Sequence, residues 1–265
     1  MCKDNEKKLK SFRLVNYFFA LTNYFFEKIQ PNQENTLSLQ DNRKIIQQKN
    51  KCNMSKEITI DQAVEMIKDG MTVMIGGFLA AGSANRIIEA LAKAGRKDLT
   101  VICNDTSYPE KGSGLLVATG CVKKVIASHI GTNPVTEQKM KDGEMEVELV
   151  PQGTLAERVR IGGAGIGGFL TKTGLGTLAG EGKRVIEVNG EEFLLELPLR
   201  ADVALIGASV ADKYGNLIYR GTSQNFNPLM ATAADVVIAE VKETVENIAP
   251  EAIKTPYLFV DYIVK

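Results

Sequence analysis

Glycine crowds residues 153–176, GTLAERVRIGGAGIGGFLTKTGLG, more densely than an ordinary helix or strand tolerates. Each interior glycine weakens a regular element by roughly 0.5–1 kcal/mol relative to alanine, so a cluster marks backbone that turns sharply or lies close against a neighbour. The neighbour expected here is a ligand or a partner chain. A second cluster, GGFLAAG at residues 76–82, sits between two readable elements. The apolar run 71–75 before it reads as a buried strand. After it, Ile87, Ile88, Ala90 and Leu91 recur at helical spacing until Gly95. With a further strand at 99–103, the order strand, glycine loop, helix, strand is that of a βαβ unit, whose strands are parallel and whose crossover is right-handed.

The rest of the chain extends this pattern. Ile60, Ala63, Val64 and Ile67 predict a helix over 59–69, stopped by Gly70. Residues 124–128 read as a short strand. Residues 145–150 alternate apolar side chains with Glu146 and Glu148, which predicts a strand with one solvated face carrying Glu144, Glu146 and Glu148. Asn189-Gly190 between two β-rich runs signals a hairpin within 185–195. Strands at 203–206 and 236–240, with a turn at Tyr214-Gly215-Asn216, complete a three-layer α/β domain. Its sheet is open and mainly parallel with an antiparallel hairpin excursion, and ligands of such sheets sit beyond the strand C-termini. No internal repeat stands out.

Composition narrows the partners. The chain of 265 residues carries 32 basic and 32 acidic side chains, which removes the electrostatic footprint of a nucleic-acid binder. Cys2, Cys52, Cys103 and Cys121 show no CxxC spacing, so neither a zinc site nor a disulfide framework is expected, and a reducing cytoplasm fits. Residues 1–53 differ from the rest, being rich in Lys, Asn and Gln around an aromatic stretch at 15–26. That stretch is too short to span a bilayer and lacks a small-residue cleavage site. The expected organisation is a dispensable or mis-assigned extension at 1–53 followed by one domain at 54–265.

Several side chains are candidates for chemistry. The loop Gly76, Gly77, Phe78, Leu79, Ala80, Ala81 and Gly82 is either a tight βα turn or a cradle whose N–H groups, with the helix behind it, hold an anion. A dinucleotide fingerprint fails on spacing, since GGxxxxG is not GxGxxG although Asp105 lies suitably downstream; the cluster at 162–168 follows a helix rather than a strand, and no GK[ST] completes a P-loop. Gln152, in Pro151-Gln152-Gly153-Thr154 at the end of the alternating strand, is either a loop glutamine bonded to backbone or an uncharged donor to a carbonyl oxygen. Thr154 and Glu157 have capping-box spacing for the helix bearing Arg158 and Arg160. His129 is the single histidine, which leaves no His-rich metal site and favours a structural role. Asn225 and Asn227 around Phe226 read first as turn chemistry and second as the edge of a site.

Taken in order, GGFLAAG, ASHIGTNP at 127–134, PQG with the glycine-rich stretch, NFNPL at 225–229 and the closing YLFVDYIVK resemble the alpha subunit of the family I CoA-transferases, in its acetate or butyrate–acetoacetate branch. The likeness runs from about residue 54 to residue 265. Ala84 and Lys172 stand where prolines are common in the family. The resemblance implies that residues 76–82 bind CoA and that Gln152 lies close to the thioester. It also implies a substrate CoA with no tightly bound cofactor and no metal, and a nucleophilic glutamate supplied by a beta subunit in an α2β2 assembly. No glutamate here sits in the glycine-flanked setting that nucleophile needs; Glu240 reads as a strand terminus. Two rivals stay open: a dinucleotide- or nucleotide-binding α/β protein, and a non-catalytic scaffold subunit whose glycine loops merely turn.

Overall fold

The structure, a computed structural model, describes residues 56–265. The extension at 1–53, with its aromatic stretch, Cys2 and Cys52, lies outside the described residues. Helix α1 (Ile60–Met66) starts at a capping box: Thr59 Oγ1 accepts from Gln62 N–H, and the Gln62 side chain accepts from Thr59 N–H. The chain leaves the helix at Ile67, in extended conformation, before the glycine expected to stop it.

Four strands then alternate with helices: β1 (Thr72–Ile75), α2 (Asn85–Ala94), β2 (Leu99–Cys103), α3 (Ser113–Ala118), β3 (Val122–Ala127), α4 (Pro134–Lys141) and β4 (Glu146–Leu149). Helix α5 (Gln152–Ala164) leads into a separate antiparallel sheet of β5 (Phe169–Thr171), β6 (Val185–Val188) and β7 (Glu191–Glu196). The chain returns through β8 (Ala201–Asp212), β9 (Leu217–Ile218), α6 (Asn227–Met230), β10 (Ala234–Val245) and β11 (Tyr262–Val264). The main sheet has the order β11-β10-β8-β1-β2-β3-β4, all neighbours parallel, with β9 antiparallel to β8.

The expected α/β architecture is therefore present, and its core explains the apolar runs. Val73 and Ile75 point into one layer with Ile87, Ile88 and Leu91 of α2, while Met74 points into the other with Leu155 and Val159 of α5. Strands covered on both faces have no polar side to alternate with. The hairpin forms at Asn189-Gly190, whose positive φ values of 55° and 77° are those of a type I′ turn. Strands β8 and β10 run much further than 203–206 and 236–240, because they pair with each other beyond the end of β1.

The first half of the glycine-rich stretch is helix α5, and two of its glycines lie against the chain itself. A Cβ on Gly162 would come within 2.0 Å of Leu199 O, and one on Gly163 within 2.2 Å of Thr232 Oγ1. Glycine is required there so that α5 can lie against the segments entering β8 and β10.

Candidate functional site

The loop after β1 is a preformed turn. Phe78 and Ala81 exchange backbone hydrogen bonds at 3.1 and 2.9 Å, and Leu79 and Ala80 between them have φ of 49° and 66°. Non-glycine residues in this left-handed region store strain of about 1 kcal/mol or more each, which persists only where surrounding groups hold it. Three side chains from elsewhere supply that hold. Asp105 accepts Leu79 N–H with both oxygens, at 3.2 and 3.1 Å. Asn225 accepts Gly77 N–H at 3.1 Å and donates to Ala81 O at 3.0 Å. Asn227, fully buried, donates to Gly82 O at 2.9 Å and accepts from Gly207 N–H at 3.1 Å. The two asparagines thus clasp the loop across the fold as well as shaping their own turn, where Asn225 also donates to Thr222 O.

These bonds consume most of the N–H groups that an anion cradle would use. Within residues 76–82 only Ala80 and Gly82 N–H have no partner among the described residues. The helix behind is occupied too: Glu240, inside β10 rather than at its end, accepts Ile87 N–H at 2.9 Å in the first turn of α2 and pairs with Arg86 at 3.3 Å. What the turn borders instead is a cavity of about 560 Å³, lined by Ala80, Ala81 and Gly82 together with Arg86, Lys242 and Lys265. Phe78 stands half-exposed on the turn. Ala84, where a proline is common in the resembled family, is a buried cap residue of α2.

On its other side the turn connects to Gln152. Helix α5 begins at Gln152 directly after β4, and the exposed side chain donates from Nε2 to Asn104 Oδ1 at 2.7 Å. Asn104, buried at the end of β2, in turn donates to Asp105 Oδ2 at 2.7 Å. Asp105 is completed by Ser107, whose N–H and hydroxyl reach Oδ1 at 2.8 and 3.2 Å. The carboxylate that could have served a dinucleotide ribose is thus spent on the turn. Gly76–Gly82 and Gln152, distant in sequence, are brought into one hydrogen-bonded unit. Sequence reasoning missed Asn104 as the link, and the only signal for it was its place at the C-terminal end of a parallel strand.

The remaining candidates fall outside that unit or are fully engaged. Thr154 caps nothing: α5 starts two residues earlier, behind Pro151, and Glu157 forms a two-oxygen fork with Arg160. The acidic face of β4 is solvated at Glu146, which meets Lys124 at 2.6 Å with its side chain 66% exposed, and is partly covered only at Glu148, which pairs with Arg158 of α5 at 2.7 Å. The His129 side chain is exposed, and its backbone oxygen accepts Thr106 N–H. Lys172 pairs with Glu191 in the small sheet. Burial, reinforced by the Asp105 charge, pushes the Cys103 thiol up to about 12, so it stays protonated and is no nucleophile. No group of acidic, histidine or cysteine side chains suited to a metal occurs among the described residues. The unit therefore offers a neutral amide donor beside a rigid turn, and its two nearby carboxylates, Asp105 and Glu240, are both committed to backbone N–H groups.

Comparison with known proteins shows a family and a fold. A family model described as Coenzyme A transferase matches residues 57–265. The chain is 53% identical over 213 residues to the acetoacetyl-CoA:acetate/butyrate CoA transferase alpha subunit of Clostridium acetobutylicum, covering 80% of this chain and 98% of that one. It is 51% identical over 212 residues to the acetate CoA-transferase subunit alpha of Escherichia coli K12, covering 79% and 96%. Among solved structures, an acyl-CoA transferase from Escherichia coli O157:H7 in a thioester complex with CoA superposes with a TM-score of 0.70 at 21% identity, over 79% of this chain and 47% of that one. At that identity the likeness is one of fold.

Proposed function

The chain belongs to the coenzyme A transferase family, and from that membership we propose that it is the alpha half of a two-subunit enzyme passing CoA between a short-chain acyl-CoA and a free carboxylate. Acetate, butyrate and acetoacetate are the proposed acids, after the names of its relatives. A glutamate of the beta subunit attacks the thioester carbonyl and expels the CoA thiolate, leaving a mixed anhydride; the thiolate then attacks the glutamyl carbonyl, releasing the first acid and leaving an enzyme–CoA thioester. The second acid reverses the sequence. This chain contributes the surroundings. The turn at 76–82 and its cationic cavity hold CoA, and the Gln152 amide donates to the thioester oxygen as negative charge develops there, a contribution of the order of 3–4 kcal/mol for one such donor.

The observation that carries this reading is that the donor amide and the turn form one hydrogen-bonded unit in which neither nearby carboxylate is free to attack. Exposed Leu170, Leu178 and Leu197 around the small sheet offer apolar surface for the partner to cover. An α2β2 assembly in the cytoplasm, working from residues 54–265 with 1–53 dispensable, completes the proposal; no helix among the described residues is long and apolar enough to cross a membrane.

The test is to purify the chain alone and together with its beta-subunit partner, incubate each with acetoacetyl-CoA, and map the covalent glutamyl-CoA thioester by mass spectrometry. The expected result is activity only in the complex, with the adduct on the partner. An adduct on a carboxylate of this chain, or full turnover by the chain alone, overturns the assignment.

A further inference from the structure

We infer that Asp105 is a positioning residue for the transfer reaction: acting through Asn104, its carboxylate fixes which atom of the Gln152 amide faces the substrate. The inference rests on the reading of Gln152 as the carbonyl donor. Amide groups have two nearly isosteric ends, so a lone glutamine at the surface can present either oxygen or nitrogen. Here the choice is removed step by step. An ionised carboxylate only accepts, so the group facing Asp105 Oδ2 at 2.7 Å must be the amide nitrogen of Asn104. Its oxygen is thereby turned toward Ser128 Oγ at 3.2 Å and Gln152 at 2.7 Å. Gln152 must then present Nε2 to Asn104, which leaves the second N–H of the same nitrogen for a substrate oxygen.

Both anchoring groups are protected from water, Asn104 being 2% and Asp105 4% exposed, whereas the Gln152 side chain they orient is exposed. The other face of the carboxylate holds Leu79 N–H of the turn, so one acid sets both the shape of the loop and the polarity of the donor. An asparagine at 105 keeps the size but can offer either end. Asn104 and Gln152 could then invert together, and an inverted Gln152 meets the thioester oxygen with an acceptor.

A double-mutant cycle on the coexpressed complex tests this, with kcat and KM for acetoacetyl-CoA measured in the wild type, Asp105→Asn, Gln152→Ala and the double variant. Acting through Gln152, Asp105→Asn should lower kcat by about tenfold alone but by less than about twofold once Gln152 is alanine. A role confined to the shape of the turn predicts instead a rise in KM and the same factor on kcat in both backgrounds, and that additivity overturns the inference. Wild-type kcat in Gln152→Ala removes the carbonyl-donor reading itself and this inference with it. If Asp105→Asn does not fold, the same cycle with Asp105→Ser decides, since a hydroxyl can donate as well as accept and so releases the polarity of Asn104: non-additivity with Gln152→Ala sustains the inference and additivity overturns it.

Discussion

Gly76 lacks a side chain because another residue already occupies that volume. A Cβ there would lie 1.8 Å from Asn227 Oδ1 and 2.7 Å from its Cγ, and that carboxamide is committed to Gly207 N–H and Gly82 O. Gly76→Ala must therefore displace a buried, fully bonded amide, at a cost of about 1–3 kcal/mol. Urea titration should show the midpoint falling by that equivalent, with KM for acyl-CoA rising because the turn is reshaped. An unchanged midpoint means the clasp is not holding the turn. The glycine itself was legible as a position needing close approach, but the identity of what approaches was not. Asn227 reaches Gly82 across 145 residues, and its local pattern, Asn-Phe-Asn-Pro, points only to a turn.

At the scale of elements, the position of Gln152 depends on how α5 is pinned. Arg158, in its second turn, donates to Glu148 on β4 at 2.7 Å and to Leu197 O beyond β7 at 2.8 Å, and lies 3.8 Å from Glu196. Glu196 is 3% exposed in its side chain and also takes Lys183 at 2.5 Å. One guanidinium thus joins the main sheet, the helix and the small sheet. Arg158→Ala leaves Glu196 with Lys183 alone and the partly exposed Glu148 with Lys124 alone, a loss of about 1.5–3 kcal/mol from the missing charged hydrogen bonds. Calorimetry of the complex should show a lower Tm, with kcat reduced because α5 carries the donor; an unchanged Tm means the helix is pinned by packing alone. The sequence marked 145–150 as a strand and AERVR as helical. It did not reveal that the acidic face of the one meets the basic face of the other, because strand alternation reports only that a face is polar, not what covers it.

For the whole molecule, these buried and half-buried carboxylates set the response to acid. Burial raises the carboxyl of Glu148, but the hydrogen bond and charge of Arg158, with Lys124, outweigh it and hold the group below the usual glutamate range. Asp212 behaves alike: burial is outweighed by Asn216 and by the N–H groups of the turn at 214–216. A carboxyl depressed in the folded state binds its proton more weakly there than when unfolded. Its contribution is complete above the unfolded value, about 4.3 for glutamate, and is lost as pH falls through the lower folded value. Urea midpoints should accordingly fall on acidification below that range, and Glu148→Gln should flatten the fall; an identical slope in the variant means Glu148 does not contribute. The sequence by itself determined the βαβ order, the parallel sheet, the hairpin at Asn189-Gly190 and the two glycine clusters, because strand and helix periods and turn residues act over a few neighbouring positions. Only the tertiary structure decided that Gln152, Asn104, Asp105 and the turn at 76–82 form one unit clasped by Asn225 and Asn227. Those bonds join residues up to 148 positions apart, and hydrogen-bonding capacity in a side chain carries no record of which distant group will satisfy it.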